Sequence, residues 1–437
     1  MSDTPGTAGK YDRLYMVALV LVLVGSLAVT VFAVRLREDK RIIIGDANGY
    51  YAWARSVLLD HDIDFRNDYQ LLFPPVQMPS EAKVLTPRGL VVNKYPVGVA
   101  ILEVPGLLVG HAVATLAGYP ADGASLPYQI SVIWSMILYC VASFYLLYLA
   151  LVNFGVDRRW AAGFCIIALV GTNLAHYVVD AGMSHAAGVT VTNTLLFIIS
   201  RLPRSERRVP GLLDLVMGVL VGLLFLIRNT NILLLPFLVV LAWRQRRWQA
   251  AEVLTALAGA LGVAAIQPVT LYLLWGQWRI STYPSEHFSA GLRGVVGTLF
   301  SHRHGLFVYS PWYAALLLLT GRAVFRLKAW FGVATAAVGS FALFVVANGT
   351  WWCWWFGHSF GNRAFIETLP VLSLVAGLQV SQNGMTRRRS AFLVALMCAV
   401  AALNFYLWAG YLISAYPRDG SNSVAQAYLW LLHRNGR

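Results

Sequence analysis

Long apolar runs, separated by short polar and basic segments, dominate the chain between positions 14 and 412. Several runs reach the roughly 20 residues that an α-helix needs to cross the hydrocarbon core of a bilayer. Because lipid cannot satisfy the open edge of a β-sheet, such runs predict helices. The pattern therefore predicts an all-α polytopic membrane protein. Its membrane domain covers 14–412, between a disordered cytoplasmic segment at 1–13 and a short outer tail at 413–437.

The composition is that of a membrane protein. Of the 437 residues, 58% are hydrophobic and 12% are charged, which is far from the averages of soluble domains. The formal net charge is +14, but the arginines lie in short loops between apolar runs, as membrane orientation requires. We therefore expect contact with membrane lipids and none with nucleic acid. The four cysteines have no disulfide or metal spacing.

The basic loops set the predicted orientation. Five clusters hold fifteen Lys or Arg, against two acids in or directly before them, Asp157 and Glu206, and clusters of this kind mark cytoplasmic loops. They are 158–159, 201–208, 244–247, 322–328 and 387–389. An inside amino terminus, an outside carboxyl terminus and eleven crossings satisfy this pattern. The predicted crossings are 14–34, 128–152, 161–178, 184–200, 211–228, 231–243, 250–275, 307–321, 330–348, 364–381 and 391–412.

The apolar run 95–118 does not fit the alternation. If it crossed the membrane, the arginines at 158–159 would lie outside. It also contains Glu103 and His111, which are costly at the centre of a bilayer. We therefore predict an embedded or re-entrant element on the outer side, within a large outer loop at 35–127.

The outer loop begins with the stretch GDANGYYAWARSV at 45–57. Over 47–59, Tyr50, Trp53 and Val57 fall on one face at three- and four-residue spacing, which predicts a short amphipathic helix at the membrane surface. Asp46 stands where the N-cap of this helix belongs. A second interpretation, compatible with the first, is a carboxylate held at the membrane–water boundary as a general base.

Two basic residues lie near the predicted outer face. Lys94 opens the embedded element in the sequence KYP, where it either extends to the interface or binds a lipid phosphate. Arg228 ends an apolar run against the positive-inside trend and therefore needs an anionic partner. That partner is either a phosphate or a carboxylate such as Asp180.

Other outer loops carry further polar and aromatic candidates. In the hairpin HYVVDAGMSHA, Asp180 and His185 are either hydrated or part of a substrate site. The segment 348–370, NGTWWCWWFGHSFGNRAFIETLP, crowds four tryptophans into five residues. An aromatic belt explains part of this, but belt tryptophans are usually scattered, and indole rings also stack on sugars. The candidate substrate-binding residues are Tyr50, Asp180, His185, Trp351, Trp354, His358, Arg363 and Glu367.

Metal binding has little support in the sequence. His302 and His304 alternate in SHRHGLFVYSPWY, but no third ligand accompanies them, so they are weak candidates. The sequence identifies no cofactor with certainty, and binding of a divalent metal stays an open alternative.

The segments GDANGYYAWARSV, KYP, GLLFLIRNTN, GLFVYSPWY and WWFGHSFGNRAFIETLP occur in this order. In order and spacing over 35–370 they resemble integral-membrane glycosyltransferases of the GT-C class. The resemblance is strongest to the bacterial branch related to protein O-mannosyltransferases and lipid A aminoarabinose transferases. Relatives often carry a second acid directly after the aspartate, whereas Ala47 and Asn48 follow Asp46 here.

The resemblance implies a GT-C fold of about eleven transmembrane helices with outer juxtamembrane helices, and a polyprenyl-phosphate-linked sugar as donor. It implies Asp46 as the general base of an inverting transfer, with Lys94 and Arg228 on the donor phosphate. The acceptor would be a lipid, glycan or protein at the outer, periplasmic face of a bacterial inner membrane. Two alternatives stay open: a transporter or flippase of a lipid-linked or anionic substrate, and a non-catalytic GT-C-like assembly subunit.

Overall fold

A computed structural model describes residues 5–36, 41–74, 78–202, 211–283, 286–421 and 423–433. Within these ranges the regular elements are helices, and two isolated β-bridges join Leu85 to Val91 and Phe288 to Trp351. The α-helices are α1 Pro5–Leu36, α2 Asp46–Arg55, α3 Arg66–Leu72, α4 Gly98–Ala117, α5 Leu126–Asn153, α6 Arg158–Val170, α7 Leu174–Val179, α8 Ser184–Ser200, α9 Leu212–Ile227, α10 Leu235–Gln245, α11 Ala250–Ala264, α12 Ile266–Trp275, α13 Gly291–Phe300, α14 Leu306–Tyr309, α15 Trp312–Arg326, α16 Phe331–Thr350, α17 Leu369–Gln382, α18 Arg387–Leu412, α19 Val424–Tyr428 and α20 Trp430–His433.

Shorter turns extend several of these helices. A π-helical turn, Ser56–Asp60, continues α2, and 3-10 turns lie at Ser80–Lys83, Asn229–Leu234, Lys328–Trp330 and Arg363–Thr368. In the described ranges, seven helical segments are long and apolar enough to cross a membrane. The prediction of an all-α polytopic membrane protein is therefore confirmed.

The count of eleven crossings stays a prediction, because several predicted crossings are short or broken. Within the run 161–178, α6 ends at Val170 and α7 begins at Leu174. Within 231–243, a 3-10 turn precedes α10. Of the basic cluster 201–208, the positions 203–208 lie outside the described residues.

The amino-terminal segment differs from the sequence prediction. Helix α1 begins at Pro5, so the prediction of disorder over 1–13 is wrong for 5–13, and 1–4 lie outside the described residues. The physical reason is a set of polar anchors on the neighbouring helices. Asp12 accepts from Arg158 Nη1 at 2.7 Å and from the Tyr148 hydroxyl, and the Tyr15 hydroxyl donates to the Phe144 carbonyl at 2.8 Å.

Helices α1, α5 and α8 are joined by polar contacts between their apolar faces. The indole N–H of Trp134 donates to Thr30 Oγ1 at 2.8 Å, and Asn193 Nδ2 donates to Ser143 Oγ at 3.0 Å. Hydrogen bonds of this kind are a common means of holding membrane helices together, since lipid offers the side chains no alternative partner.

Helices α9 and α11 approach each other through small residues. Gly218 and Gly222 form a G-x-x-x-G pattern on α9, and Gly259 lies opposite on α11. A Cβ added at Gly218 would lie 1.8 Å from the Ala256 carbonyl oxygen, and one at Gly222 would lie 2.5 Å from the Ala260 carbonyl oxygen. The two backbones are therefore in direct contact, as is typical of this pattern in membranes.

Helix α4 lies antiparallel to the first half of α5. Gly106 contacts the backbone of Val132, and Gly110 contacts that of Tyr128, so later residues of α4 meet earlier residues of α5. Glu103 is fully buried in the protein and is not exposed to lipid. By length and composition α4 could cross a membrane, and the embedded arrangement predicted from the loop charges stays a prediction.

The carboxyl-terminal segment folds back onto the segment around α14. The Tyr428 hydroxyl donates to the Val308 carbonyl, and the Tyr416 hydroxyl donates to the Leu407 carbonyl at 2.7 Å. A small second core results. Its buried members are Tyr309, Phe360, Leu407, Tyr411, Tyr416, Ala427 and Trp430.

Candidate active site

A cavity of about 600 Å³ lies where the amino ends of α2, α8 and the turn before α17 meet the carboxyl ends of α9 and α16. The basic loops that the sequence places in the cytoplasm adjoin the opposite ends of α8, α9, α16 and α17 in the chain. Seven of the residues that line the cavity were predicted as site residues: Asp46, Tyr50, Lys94, His185, Arg228, Trp351 and Arg363.

Asp46 is the first residue of α2. The preceding Gly45 has φ 58°, a left-handed conformation that favours glycine. The prediction of Asp46 as an N-cap is wrong, because Gly45 occupies that position and the Asp46 carboxylate contacts Arg363 and Tyr95. Its carboxylate faces the cavity instead and is 35% exposed. A cap would bind the amides of its own helix, whereas this carboxylate binds two distant side chains.

Those side chains are Arg363 and Tyr95. Arg363 Nη2 lies 2.6 Å from Asp46 Oδ2, and the Tyr95 hydroxyl donates to Asp46 Oδ1 at 2.9 Å. Burial alone would raise the pKa of the Asp46 carboxyl. The positive charge of Arg363 and the Tyr95 hydrogen bond outweigh that effect and lower the pKa below its usual value. Asp46 is therefore ionised at neutral pH.

Helix α2 is buried in the protein, which differs from the predicted surface position. Trp53 is buried, and its indole N–H donates to the Tyr95 carbonyl at 2.7 Å. Asn93 Nδ2 donates to the Gly49 carbonyl at 2.7 Å, and a Cβ at Gly49 would lie 2.0 Å from the Tyr95 ring. These contacts fix the segment NKYP against α2 and hold the Tyr95 hydroxyl on Asp46.

Lys94 is held by two carboxylates. Its Nζ lies 3.0 Å from Glu81 Oε1 and 2.9 Å from Glu286 Oε1. Burial lowers the pKa of Lys94, but the two carboxylates more than offset this and raise it above its usual value. Glu286 also accepts from the Trp352 indole N–H at 3.2 Å. This ion triad links the first outer loop to the segment 286–288 at the cavity wall.

Arg228 is placed by a buried carboxylate behind the cavity. Arg228 Nη1 lies 3.5 Å from Glu367 Oε2, and His185 Nδ1 lies 3.2 Å from Glu367 Oε1. Glu367 is fully buried, and a Cβ at Gly188 would lie 2.7 Å from its side chain. The carboxylate that contacts Arg228 is thus Glu367 and not Asp180, whereas binding of a phosphate stays a prediction.

Three predicted site residues lie away from this cavity. Asp180 Oδ2 lies 4.0 Å from His176 Nε2 in the outer hairpin, and His358 is exposed on the loop before Arg363. Trp354 lines a second, neighbouring cavity. Spacing in the sequence could not separate these residues from the others, because the loop charges predict the same side of the membrane for all of them.

The described residues form no cluster of ligands suited to a divalent metal. Among the described residues, no group of three or more His, Cys, Asp and Glu side chains is close enough to hold one. Asp46 and Glu286 line the main cavity, but each already binds a cationic side chain. His304 Nδ1 lies 2.9 Å from the Trp355 carbonyl oxygen, whereas His302 lines the second cavity.

Tyr95 and Glu286 are site residues that the sequence prediction missed. Tyr95 lies inside the segment NKYP, where only the lysine was singled out. Glu286 is the only acid between Glu252 and Glu367. An isolated acid in a long loop that is predicted to share the outer side with Lys94 was an available signal for this contact.

Comparison with known proteins gave matches by structure and none by sequence. No protein-family model matches the chain, and no curated protein matches its sequence. Two solved structures of ArnT from Cupriavidus metallidurans match, each at 15% identity. The apo structure has a TM-score of 0.55 over 94% of this chain and 66% of the ArnT chain. The structure bound to undecaprenyl phosphate has a TM-score of 0.54 over 96% and 67%.

The chain therefore spans about two thirds of the length of these ArnT chains. The likeness extends over nearly all of this chain, and so it concerns the whole helical domain and not one hairpin. The chain has the GT-C fold predicted from the sequence, which it shares with ArnT.

Proposed function

We propose that the chain is a glycosyltransferase that moves a sugar from a polyprenyl-phosphate-linked donor to an acceptor hydroxyl at the outer face of a bacterial inner membrane. The observation that carries the proposal is the meeting of Asp46, Arg228 and Arg363 in one cavity. The fold supports it, because a solved structure with this fold is ArnT bound to undecaprenyl phosphate. The predicted outer position of the cavity agrees with a lipid-linked donor, since nucleotide sugars are not available there.

The transfer would be a single displacement with inversion. The acceptor oxygen forms a bond to the anomeric carbon while the bond between that carbon and the phosphate oxygen breaks. The bonding electron pair leaves with the polyprenyl phosphate, and the acceptor proton passes to Asp46. A general base must be ionised and within hydrogen-bond reach of the acceptor hydroxyl. Arg363 and Tyr95 support the first condition by holding the Asp46 carboxylate charged.

The leaving phosphate needs positive charge near it and no protonating acid. Arg228 is the first candidate, because its guanidinium reaches the cavity while Glu367 fixes it from behind. Lys94 is the second candidate. A phosphate that binds Lys94 would have to share it with Glu81 and Glu286 or displace one of them. We therefore assign Arg228 the larger share of donor phosphate binding.

The remaining cavity residues would shape the sugar site. Tyr50 and Tyr95 meet edge to face with ring centroids 4.9 Å apart, and Trp351 also lines the cavity, with its ring against Phe288. His185 lies beside Arg228 at 3.4 Å and would contact the phosphate or the sugar. Aromatic walls with a few polar groups are typical of small-molecule sites.

Transfer of a radiolabelled sugar from a synthetic undecaprenyl-phosphate sugar to an extracted cell-envelope fraction tests the proposal. Purified protein in nanodiscs should release undecaprenyl phosphate in step with sugar transfer. If the lipid-linked sugar instead moves between leaflets of proteoliposomes without cleavage, the chain is a flippase. If the donor binds but is neither cleaved nor moved, the chain is a non-catalytic subunit.

A further inference from the structure

A second cavity of about 820 Å³ lies beside the first, between α13 and the tryptophan loop at 351–355. It is lined by arginine, histidine and tryptophan side chains and by one exposed edge of α13. Trp352 lines both cavities and is their common wall. The lining residues used below are Arg293, Arg303, Val296, Trp352, Trp354 and Trp355.

The cavity is cationic. Arg293 and Arg303 line it, and no carboxylate of the described chain lies within 4.0 Å of either guanidinium. The Arg303 guanidinium lies over the Trp355 ring, 5.0 Å from its centroid, which holds the charge at the cavity wall. A planar guanidinium matches carboxylate and phosphate groups with two parallel hydrogen bonds.

Indole rings form the other walls of the second cavity. Trp354 is buried, and Gly297 lets its ring lie directly on α13, since a Cβ there would meet the ring at 2.7 Å. Trp352 is 44% exposed, and its indole N–H is held by Glu286 at 3.2 Å. The face of an indole ring is electron-rich and therefore attracts the weakly positive C–H groups on the face of a pyranose.

We infer that the second cavity binds the acceptor, and that the acceptor is an acidic saccharide bearing carboxylate or phosphate groups. The inference rests on the proposed glycosyl transfer. Because Trp352 belongs to both cavities, a saccharide of several units would place its acidic part against Arg293 and Arg303. Its terminal hydroxyl would then extend past Trp352 toward Asp46.

The rim of the cavity distinguishes two sources of such a saccharide. Val296 and Phe300 line the cavity and are 53% and 61% exposed. An acyl or prenyl chain attached to the saccharide would contact this apolar rim, whereas a free chain would not.

Binding of trigalacturonic acid to the protein in phosphatidylcholine nanodiscs tests the charge requirement, with its methyl ester as an uncharged match. We expect the acid to bind at least roughly tenfold more tightly than the ester, as charge-assisted hydrogen bonds typically give. The double variant Arg293→Gln/Arg303→Gln should lose this preference. Arg279→Gln is the matched control, since Arg279 also stacks on a tryptophan, Trp275, but lies outside the cavity.

Equal binding of the acid and the ester, or an unchanged preference in the double variant, would overturn the inference. An octyl glycoside of the acid that binds more tightly than the free acid supports a lipid-linked source, and equal affinity supports a free chain. The transfer assay separates this inference from the proposed function. A double variant that transfers sugar at the wild-type rate refutes the acceptor site alone, whereas acid binding without any transfer refutes the proposed reaction.

Discussion

The carboxylate of Asp46 and the guanidinium of Arg363, 317 positions apart in the chain, meet at 2.6 Å on the wall of the main cavity. The contact joins the first outer loop to the 3-10 turn that precedes α17. It offsets the effect of burial on Asp46 and keeps the carboxylate ionised.

Replacing Arg363 should change the pH dependence of transfer. In Arg363→Gln the carboxylate keeps its half-buried position but loses its strongest favourable charge, so the pKa of Asp46 should rise. A base is inactive below its pKa, and the acid limb of kcat/KM should therefore move to higher pH. A profile of kcat/KM from about pH 3 to pH 8 measures the shift, because the acid limb of the wild-type protein lies below the usual pKa of an aspartate. An acid limb unchanged from wild type would mean that Asp46 does not carry the titration.

Asp46→Asn should fold and bind donor but transfer sugar slowly. The amide keeps the size of the carboxylate and can still accept from Tyr95, but it cannot take a proton. Loss of a general base typically costs roughly 10²–10⁴-fold in rate. Single-turnover transfer measures the effect, and Asp180→Asn is the matched control at an acid outside the cavity. Near-full activity of Asp46→Asn with an inactive Asp180→Asn would move the base to Asp180.

Arg228→Gln should weaken binding of undecaprenyl phosphate. The variant removes the guanidinium that reaches the cavity, while Glu367 keeps its contact with His185. Loss of a charged hydrogen bond to phosphate typically raises Kd by roughly 10- to 100-fold. Lipid binding to protein in nanodiscs measures the change. Arg326→Gln, at the predicted cytoplasmic end of α15, should have no effect, and equal effects of the two variants would leave Arg228 a structural ion-pair partner.

Gly218→Ala should destabilise the membrane domain. The new methyl group would lie 1.8 Å from the Ala256 carbonyl oxygen, so α9 and α11 would have to separate. Overpacking of this kind typically costs about 1–3 kcal/mol. The melting temperature in detergent measures the loss. Gly262→Ala is the control on α11, since nothing lies within 4 Å of its added methyl group, and an equal loss there would contradict the direct backbone contact.

Single cysteines should test the orientation. With Cys353 and Cys398 replaced by alanine, Ala121→Cys should react with an impermeant maleimide from outside and Arg247→Cys only from inside. The expectation follows from the basic loops, which mark the cytoplasmic side. Outside labelling of both positions would overturn the predicted orientation.

The helical fold was predictable because membrane crossings follow from length, hydropathy and loop charge. The extent of α1 was not, because the polar segment 5–13 is helical through contacts of Asp12 with residues more than a hundred positions away. Hydropathy predicts whether a helix lies in lipid or in water, but it does not identify the side chains that the helix contacts.

Most of the candidate site was also predictable, because isolated charged residues near a bilayer need partners. Arg228 was found in this way, whereas Asp46 was identified from its place before a predicted helix, Lys94 from the KYP sequence and Arg363 from the tryptophan-rich loop. Their pairing was not, since the choice of Glu367 over Asp180 for Arg228 depends on how α8 and α9 meet the turn before α17. Sequence spacing within one loop says nothing about that arrangement.

The long separation between Asp46 and Arg363 has a consequence for biosynthesis. Chains are made from the amino terminus, and their early parts fold first. Asp46 therefore reaches the membrane long before the ribosome has made Arg363. Until the later helices arrive, the carboxylate has water and Tyr95 as its partners. The ion pair thus cannot form until the chain has been made as far as Arg363, and a chain that ends earlier would leave Asp46 without its cationic partner.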